Sequence, residues 1–495
     1  MLRFLYICGL LTKYALLYFL MKLHVYHFPK DKTVKRFFEE AGGSFIKFGQ
    51  LLALRVDILP KEYSLEMFDL LDNVKPFSYD DVKEIFLDDL GAVPEKIFKD
   101  FQKEPFASGS FGQVHAAKLE DDTIVAVKIM RPGIDETVNA DFLVVDVIVF
   151  FADLFYKISG LNWKEFAEEF KRWTLQELDY QTEAENAERL RAALAPNSLI
   201  VIPKMYTRIS TKRILVQEYI DGFPLTRVLR GIKEGRLTRE DLLKLGVDLK
   251  KTPHTLTYEM LYQYFFGGYF HADLHPGNII LLQNDKIGLI DFGIMGEWVP
   301  VNQTSFIRWI KAIGDFDFKE ATFYFADVVS DDLKQMILSA FPASIEQKQM
   351  DEFLRILSNH LAETVEATVR NSLKDLKEMK TDYTVVFMKL LGIAESYKIK
   401  LPKEMAIFIK ALSTLGLVSK EMDYDFHLQK DFKKFFELHP EETIPDKLVT
   451  RPIRRMSRDR AMERLNNWLA YLLEKRPDIY KLVNSYIMQY NRVDQ

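Results

Sequence analysis

The sequence predicts an α+β fold of two lobes, and three observations predict it. Apolar and β-branched runs between residues 105 and 129 and between 200 and 220 are typical of strands. Helical periodicity dominates residues 135–195 and most of the chain after 224. A chain of 495 residues, with 48% hydrophobic and 28% charged residues, can also bury a large core. We therefore expect a globular protein, neither disordered nor polytopic in a membrane.

Charge and cysteine content exclude several classes of site. The net charge of −5 gives no general sign of nucleic-acid binding. Cys8 is the one cysteine of the sequence, so neither an internal disulfide nor a cysteine-rich metal cluster can form. This composition fits a reducing compartment.

The first strand region contains a glycine-bearing loop at residues 107–114. It reads as the second half of a GxGxxGxV pattern, with Ala107 where the first glycine would stand. Alone, such a loop more often makes an ordinary hairpin turn. The next strand ends in Lys128 within an apolar run, where an ammonium needs phosphate oxygens and a carboxylate as partners. We therefore predict that Lys128 holds the phosphates of a nucleotide. The loop residues predicted to bind the nucleotide are Ala107, Ser108, Gly109, Ser110, Gly112 and Val114.

Two later segments carry polar side chains at the spacing that phosphoryl transfer requires. Asp273 precedes Asn278 by five positions, and Asp291 then opens an Asp-Phe-Gly sequence. The reaction needs one carboxylate near the attacking hydroxyl, and a carboxylate with an amide oxygen to hold Mg²⁺. We predict that Asp273 is the catalytic base or orients water, and that Asn278 and Asp291 bind the metal. Either segment by itself could be an ordinary polar turn.

The order of these elements predicts a protein-kinase-like fold that uses ATP and Mg²⁺. Residues 215–222 fit a hinge between the lobes, where backbone groups of Glu218 and Ile220 would meet the adenine. Loop, lysine strand, hinge and catalytic segments thus follow one another as in protein kinases.

A segment before the catalytic region narrows this assignment. Lys47-Phe48-Gly49-Gln50 closely resembles the KxGQ signature of the UbiB (AarF-type) family of atypical kinases. The resemblance spans residues 41 to about 295 and implies an ATP- and Mg²⁺-dependent kinase or ATPase. It also implies a role in isoprenoid-quinone metabolism, such as ubiquinone biosynthesis, or in other lipid metabolism, with components of those pathways as partners. Further segments similar to the family are residues 113–115, 128–133, 177–180 and 270–278.

Three acidic residues are candidates for contacts with the two lysines. Glu183 is predicted to pair with the strand lysine, and Asp179, four residues earlier, would share its face of one helix. Glu177 would then point nearly the opposite way. The family resemblance implies that Glu177 and Asp179 meet the helix of Lys47 and Gln50 in a regulatory contact.

Gly109 departs from the family pattern. The family usually has an alanine-rich loop, and Gly109 lies where the last of these alanines would be. Glycine permits positive φ and a closer approach of the backbone to phosphate. We therefore expect this loop to bind nucleotide more as an ordinary protein kinase does.

The residues after Asp-Phe-Gly bear on the phosphate acceptor. Residues 296–300 lead almost directly into a helical pattern at 306–313, without the long segment and Ala-Pro-Glu that protein kinases use to dock peptides. We expect a small or lipid-like acceptor. Two alternatives stay open, a small-molecule phosphotransferase of the antibiotic-kinase type and a nucleotide-gated lipid-binding pseudoenzyme.

Both ends of the chain suggest contact with an anionic membrane surface. Residues 1–30 have no acid, and we predict a helix that lies on the membrane, the alternative being a core helix. Six arginines lie between residues 451 and 464 and precede an aromatic tail. These arginines can bind anionic lipid headgroups or form a solvated face. Charges at 474–478 exclude a clean membrane span there. We predict a cytoplasmic protein, peripheral on the inner face of a membrane. The basic residues of the first segment are Arg3, Lys13, Lys22 and Lys30.

The predicted organisation has five parts. They are a membrane-prone segment at 1–40, a helical KxGQ extension at 41–104, a kinase-like N-lobe with a helical insertion at 105–223, a helical C-lobe at 224–445 and a basic, aromatic tail at 446–495.

Overall fold

The computed structural model describes most of the chain as two compact units. The described residues are 2–22, 30–53, 75–155, 163–297, 303–329, 403–445 and 457–491, with a few isolated residues between 336 and 363. The first unit comprises residues 1–255 and 269–295, and the second comprises 256–268 and 296–495. Every predicted site residue lies in the first unit.

The described elements confirm an α+β chain of many helices and small sheets. Its strands are β1 Asp100–Phe101, β2 Ala107–Ser108, β3 Gly112–Lys118, β4 Ile124–Met130, β5 Ile200–Val201, β6 Ile214–Glu218, β7 Phe223–Pro224, β8 Tyr269–His271, β9 Ile279–Leu281, β10 Ile287–Leu289 and β11 Met295–Glu297. Helices of the first unit are α1 Leu2–Lys22, α2 Lys30–Ala41, α3 Ser44–Ala53, α4 Tyr79–Leu90, α5 Pro94–Ile97, α6 Ile134–Phe155, α7 Trp163–Gln176, α8 Tyr180–Ala193, α9 Leu225–Lys233 and α10 Arg239–Lys244. The helix α11 Lys251–Tyr262 begins in the first unit and ends in the second.

A five-stranded antiparallel sheet carries the nucleotide loop and the strand lysine. Its order is β1-β3-β4-β6, and β2 pairs with β3. Val125, Val127 and Ile129 of β4 belong to one buried core with Val82 and Phe86 of α4. Because side chains alternate along a strand, Lys128 emerges on the opposite face of the sheet.

The region predicted as helical from 135 to 195 divides into α6, α7 and α8. Asp179 is the N-cap of α8, with extended backbone at φ −139° and ψ 92°. Its carboxylate accepts hydrogen bonds from the backbone N–H groups of Gln181 and Thr182, at 3.1 and 3.2 Å. The prediction that Asp179 and Glu183 share a helical face is therefore wrong, because Asp179 precedes the helix.

A second sheet of the first unit lies beside the hinge. Its order is β5-β10-β9-β7, with β5 parallel to β10 and the other pairs antiparallel. An ideal Cβ built on Gly222 would lie 2.6 Å from the carbonyl oxygen of Leu281. Glycine is thus required where the hinge passes this hairpin.

The second unit has a core rich in aromatic side chains. A π-helical turn, Gln263–Gly267, continues α11. Phe265, Phe306, Trp309 and Phe435 are buried in this unit. No helix among the residues that the structure describes is long and apolar enough to cross a membrane. The later helices are α12 Gln303–Gly314, α13 Phe318–Val329, α14 Lys403–Met422, α15 Leu428–Leu438, α16 Arg458–Lys475 and α17 Pro477–Asn491.

Candidate active site

The centre of the candidate site is a buried ion pair between β4 and α8. Lys128 Nζ donates to Glu183 Oε1 at 2.5 Å and to the carbonyl oxygen of Ile290 at 2.9 Å. Asp291 Oδ2 lies 3.9 Å from the same Nζ. The structure thus brings the predicted phosphate-binding lysine, its partner carboxylate and a predicted metal ligand together.

Electrostatic interactions keep Lys128 and Asp291 charged within this cluster. Burial alone would lower the pKa of Lys128, but the carboxylates of Glu183 and Asp291 outweigh burial and raise that pKa. Burial alone would raise the pKa of Asp291, but the ammonium groups of Lys128 and Lys47 hold it below its ordinary value. At neutral pH the site therefore offers a cation to phosphate and an ionised carboxylate to a metal.

A buried histidine ties the catalytic loop to Asp-Phe-Gly. His271 Nε2 lies 2.7 Å from the carbonyl oxygen of Asp291, and the backbone N–H of Asp273 points to His271 Nδ1 at 3.2 Å. A carbonyl accepts and an N–H donates, so these contacts require the neutral tautomer with hydrogen on Nε2. The Asn278 amide nitrogen donates to the carbonyl oxygen of Asp273 at 3.1 Å, which leaves the amide oxygen as its metal-binding atom. Asp273, Asn278 and Asp291 are thus held in one network.

The predicted nucleotide loop joins β2 to β3. Val114 lies directly opposite Lys128 in the register of β3 and β4, so the two side chains share a face. An ideal Cβ on Gly112 would lie 2.5 Å from the carbonyl oxygen of Ile129, so close strand packing accounts for this glycine. Gly109 is not among the described glycines with positive φ. The backbone conformation of Gly109 therefore does not by itself require glycine.

Arg131, which sequence reasoning missed, forms hydrogen bonds to the backbone of this loop. Arg131 Nη2 donates to the carbonyl oxygens of Gly109 and Lys75, each at 3.1 Å. Ser108 Oγ is buried and has no hydrogen-bond partner among the residues that the structure describes. The loop thus keeps one unused hydroxyl donor beside Gly109. Of the other loop residues, Ala107 is exposed and Ser110 is buried.

The hinge residues lie where β6 ends. The Glu218 N–H donates to the carbonyl oxygen of Lys204 at 2.9 Å, and its carboxylate accepts from the Lys204 N–H at 3.1 Å. The Ile220 side chain lies over β10, 2.8 Å from the position of an ideal Cβ on Gly288. Glu218 is therefore fixed by the backbone of Lys204, and the Ile220 side chain packs against β10.

The KxGQ helix α3 reaches the site through a second ion pair. Lys47 Nζ lies 3.1 Å from Glu177 Oε1. The Glu177 Cγ atom lies 3.3 Å from an ideal Cβ on Gly293, so this pair borders Asp-Phe-Gly. The Asp179 carboxylate caps α8, and Glu177 forms the ion pair with α3. The side chain of Gln50 lies outside the described residues.

A buried carboxylate holds the start of α3, and sequence reasoning missed it. Asp141 of α6 is fully buried; it accepts from Arg3 Nε at 2.8 Å and from the Ser44 N–H at 3.1 Å. Arg3 Nη2 also donates to the carbonyl oxygen of Gly42. The two side chains are 138 positions apart, so no local pattern could have found this contact.

Folding stability should depend on pH through Glu177. Burial raises its pKa to about 7, with Asp291 adding to the increase while Lys47 opposes it. The unfolded carboxyl titrates near 4.5, so the folded state binds more protons between these values. The free energy of unfolding should therefore fall as pH rises from about 4.5 to about 7 and be constant above that. One unit of pKa difference is about 1.4 kcal/mol, so we expect a loss of up to about 3 kcal/mol.

Chemical denaturation of wild type and Glu177→Gln between pH 4 and 8 measures this effect. The variant should lose the part of the slope that Glu177 contributes, while Glu95→Gln, at an exposed glutamate that accepts from Tyr79, should keep it. Parallel profiles for wild type and Glu177→Gln would contradict the assignment.

The donor set suits Mg²⁺ bound together with a nucleotide. Within the described ranges, no group of three or more His, Cys, Asp or Glu residues could hold a metal. Magnesium at phosphoryl-transfer sites is commonly held by one or two protein ligands plus phosphate oxygens, so Asp291 and Asn278 can suffice. The half-exposed Asp291 carboxylate beside the Lys128 ammonium fits a metal bound to phosphates.

Comparisons with known proteins find a matching family model and several relatives of this chain. A family model described as the ABC1 atypical kinase-like domain matches residues 69–325, more than half of the chain. An uncharacterized Synechocystis protein is 29% identical over 417 residues, covering 83% of this chain and 93% of that protein. A Clostridium pasteurianum protein encoded in a hydrogenase 1 5′ region is 29% identical over 391 residues, covering 79% and 67%.

One relative carries a kinase name. The probable protein kinase UbiB of Cellvibrio japonicus is 26% identical over 432 residues, covering 86% of this chain and 72% of that protein. A solved Mycobacterium tuberculosis protein in complex with erythromycin aligns with TM-score 0.47 and 21% identity, covering 82% and 94% of the two chains.

Proposed function

Since the chain belongs to the ABC1 atypical kinase-like family, we propose that it binds ATP with Mg²⁺ and transfers or hydrolyses the γ-phosphoryl group. One observation carries the proposal. Lys128, Glu183 and Asp291 form one ion-paired cluster, and His271 links it to the loop of Asp273 and Asn278. In this cluster Glu183 already orients the Lys128 ammonium, which can then bind phosphate.

Each side chain has a defined part in the proposed reaction. Lys128, oriented by Glu183, binds phosphate oxygens and stabilises their charge. Asp273 accepts the proton of the attacking hydroxyl or water as the oxygen–phosphorus bond forms. Asp291 and Asn278 would hold Mg²⁺, which when bound would supply positive charge to the phosphates. ADP then leaves with the electron pair of the broken bond.

The acceptor is proposed to be a lipid or a component of isoprenoid-quinone metabolism. The family resemblance supports this proposal, and so does the small number of residues, 294–302, that separate Asp-Phe-Gly from α12 in the sequence. Comparing quinone and lipid content of cells with and without the protein tests this part. Unchanged content of both would count against it.

The lysine provides the direct test of nucleotide chemistry. In Lys128→Met, Mg²⁺-dependent ATP turnover should fall roughly 10²–10³-fold, as it does when one donor to a developing charge is removed. Lys99→Met is the matched control, because Lys99 forms an exposed ion pair with Asp122. Turnover by Lys128→Met equal to that of the control would reject the proposal, provided that both variants melt as folded proteins.

We also propose that the protein acts at an anionic membrane surface. The acid-free sequence of residues 1–30 supports this, as do Leu5 and Leu16, exposed on α1. Arg3 and Lys13, however, are engaged by Asp141 and Glu40. We therefore expect apolar burial to contribute more to binding than these two charges, and binding to weaken only in part with added salt.

A single leucine variant tests the membrane proposal without removing Arg3. Leu16→Glu should reduce flotation with liposomes that contain anionic lipid, because a charge then enters the apolar face of α1. Leu438→Glu is closely matched, since Leu16 and Leu438 are 58% and 59% exposed. Equal flotation of the two variants, or no flotation of the wild type, would overturn the proposal.

A further inference from the structure

Helix α8 holds the Phe292 peptide groups from two sides. The Phe292 N–H donates to Glu183 Oε1 at 3.2 Å, and the Phe292 carbonyl accepts from Asn186 Nδ2 at 2.8 Å. Glu183 and Asn186 are three residues apart, so they project from one face of the helix. Asn186 has no part in the phosphate or metal contacts assigned above.

The orientation of the Asn186 amide is determined by its two partners. The Tyr269 hydroxyl lies 2.6 Å from Asn186 Oδ1 and donates to it. A carbonyl oxygen can only accept, so the NH₂ group must face Phe292. Tyr269 is buried on β8, and the Arg189 guanidinium of α8 lies 4.0 Å from its ring centroid. Asn186 is therefore a fixed donor rather than a freely rotating amide.

The peptide group that Asn186 holds also orients the metal-binding carboxylate. A peptide unit is planar, so fixing the Phe292 carbonyl fixes the direction of the following N–H, which belongs to Gly293. That N–H donates to Asp291 Oδ1 at 3.1 Å. Glycine at 293 would otherwise let this peptide rotate at little cost. Asn186 thus constrains the Asp291 carboxylate through the planar Phe292–Gly293 peptide group.

We propose that Asn186, itself oriented by the Tyr269 hydroxyl, is a positioning residue that fixes the Phe292–Gly293 peptide and so presents Asp291 to Mg²⁺. The proposal rests on the proposed function, since it assigns how a Mg²⁺ ligand of that site is prepared. It links the metal ligand to α8 and to β8, the strand that leads into the catalytic loop. The Asp-Phe-Gly segment is then set by contacts within the first unit.

Two variants test this role, the first expected to disturb the network more than the second. Asn186→Leu keeps a side chain of similar size but removes the donor, so the Mg²⁺ concentration for half-maximal ATP binding should rise about 10–100-fold, as for other partners of metal ligands. Tyr269→Phe removes one hydroxyl and frees the amide to turn, so its shift should be smaller and in the same direction. ATP affinity measured without metal should stay unchanged in both.

The control and the outcomes separate this proposal from the proposed function. Tyr79→Phe is a matched control, because it also removes one tyrosine hydroxyl, which donates to Glu95. If the wild type shows no Mg²⁺-dependent ATP binding, the proposed function and this inference both fail. If the wild type binds and the folded variants match Tyr79→Phe in Mg²⁺ dependence, the positioning role alone is rejected. Equal loss of ATP affinity with and without metal indicates a general structural role and also rejects it.

Discussion

Replacing Asp291 by asparagine is expected to abolish Mg²⁺-dependent ATP turnover. The carboxylate lies 3.9 Å from Lys128 Nζ, and two lysines hold its pKa below the ordinary value, so it is ionised at neutral pH. An amide has nearly the same shape but supplies no charge to the metal. Loss of a partner of a metal ligand typically costs about 10–100-fold, and loss of the ligand itself should exceed that. Turnover is measured as phosphate release at saturating Mg²⁺ and ATP.

A matched control keeps this result specific. Asp146→Asn removes a more exposed carboxylate that pairs with Lys171, and its turnover should equal that of wild type. The Gly293 N–H can still donate to the asparagine oxygen of Asp291→Asn, so the local backbone should persist. Undiminished Mg²⁺-dependent turnover in Asp291→Asn would overturn the metal assignment.

Lys47→Ala is expected to increase phosphorylation of the protein itself and of non-specific acceptors. Lys47 joins α3 to Glu177, and Glu177 packs beside Gly293, so the KxGQ helix borders the proposed reaction centre. If this contact keeps acceptors out, its loss should favour the open state. Regulatory couplings are typically about 1–3 kcal/mol, which corresponds to a labelling increase of about 5–150-fold.

Comparison of the wild type with four variants decides whether α3 restrains the site. Lys47→Ala and Glu177→Gln should have similar effects on labelling, and the double variant should show no further increase, because both remove one contact. Lys13→Ala is the control, since Lys13 forms an exposed ion pair with Glu40 of α2. A passive surface helix would change stability by no more than about 0.5 kcal/mol and leave labelling at the wild-type level. Equal labelling in Lys47→Ala and wild type would count against a restraining helix.

The sequence by itself determined the kinase-like class and named the central residues of the candidate site. Lys128, Asp273, Asn278 and Asp291 could be named because phosphoryl transfer demands particular side chains at short, ordered spacings. Glu183 could be named as a partner because an apolar strand lysine needs a carboxylate. These inferences depend on the chemistry of the side chains and on their order and spacing in the sequence.

Tertiary structure decided the contacts that orient these residues. Asp179 caps α8 instead of sharing a face with Glu183, because the chain breaks its helix at residues 177–179, and the acidic sequence does not mark that break. Asn186 meets Phe292 across 106 positions, and Arg3 meets Asp141 across 138. Such contacts depend on how distant segments pack, and a single polar residue on a helix has no periodicity or spacing that indicates its partner. The elevated pKa of Glu177 has the same origin, since packing alone buries that carboxylate near Asp291.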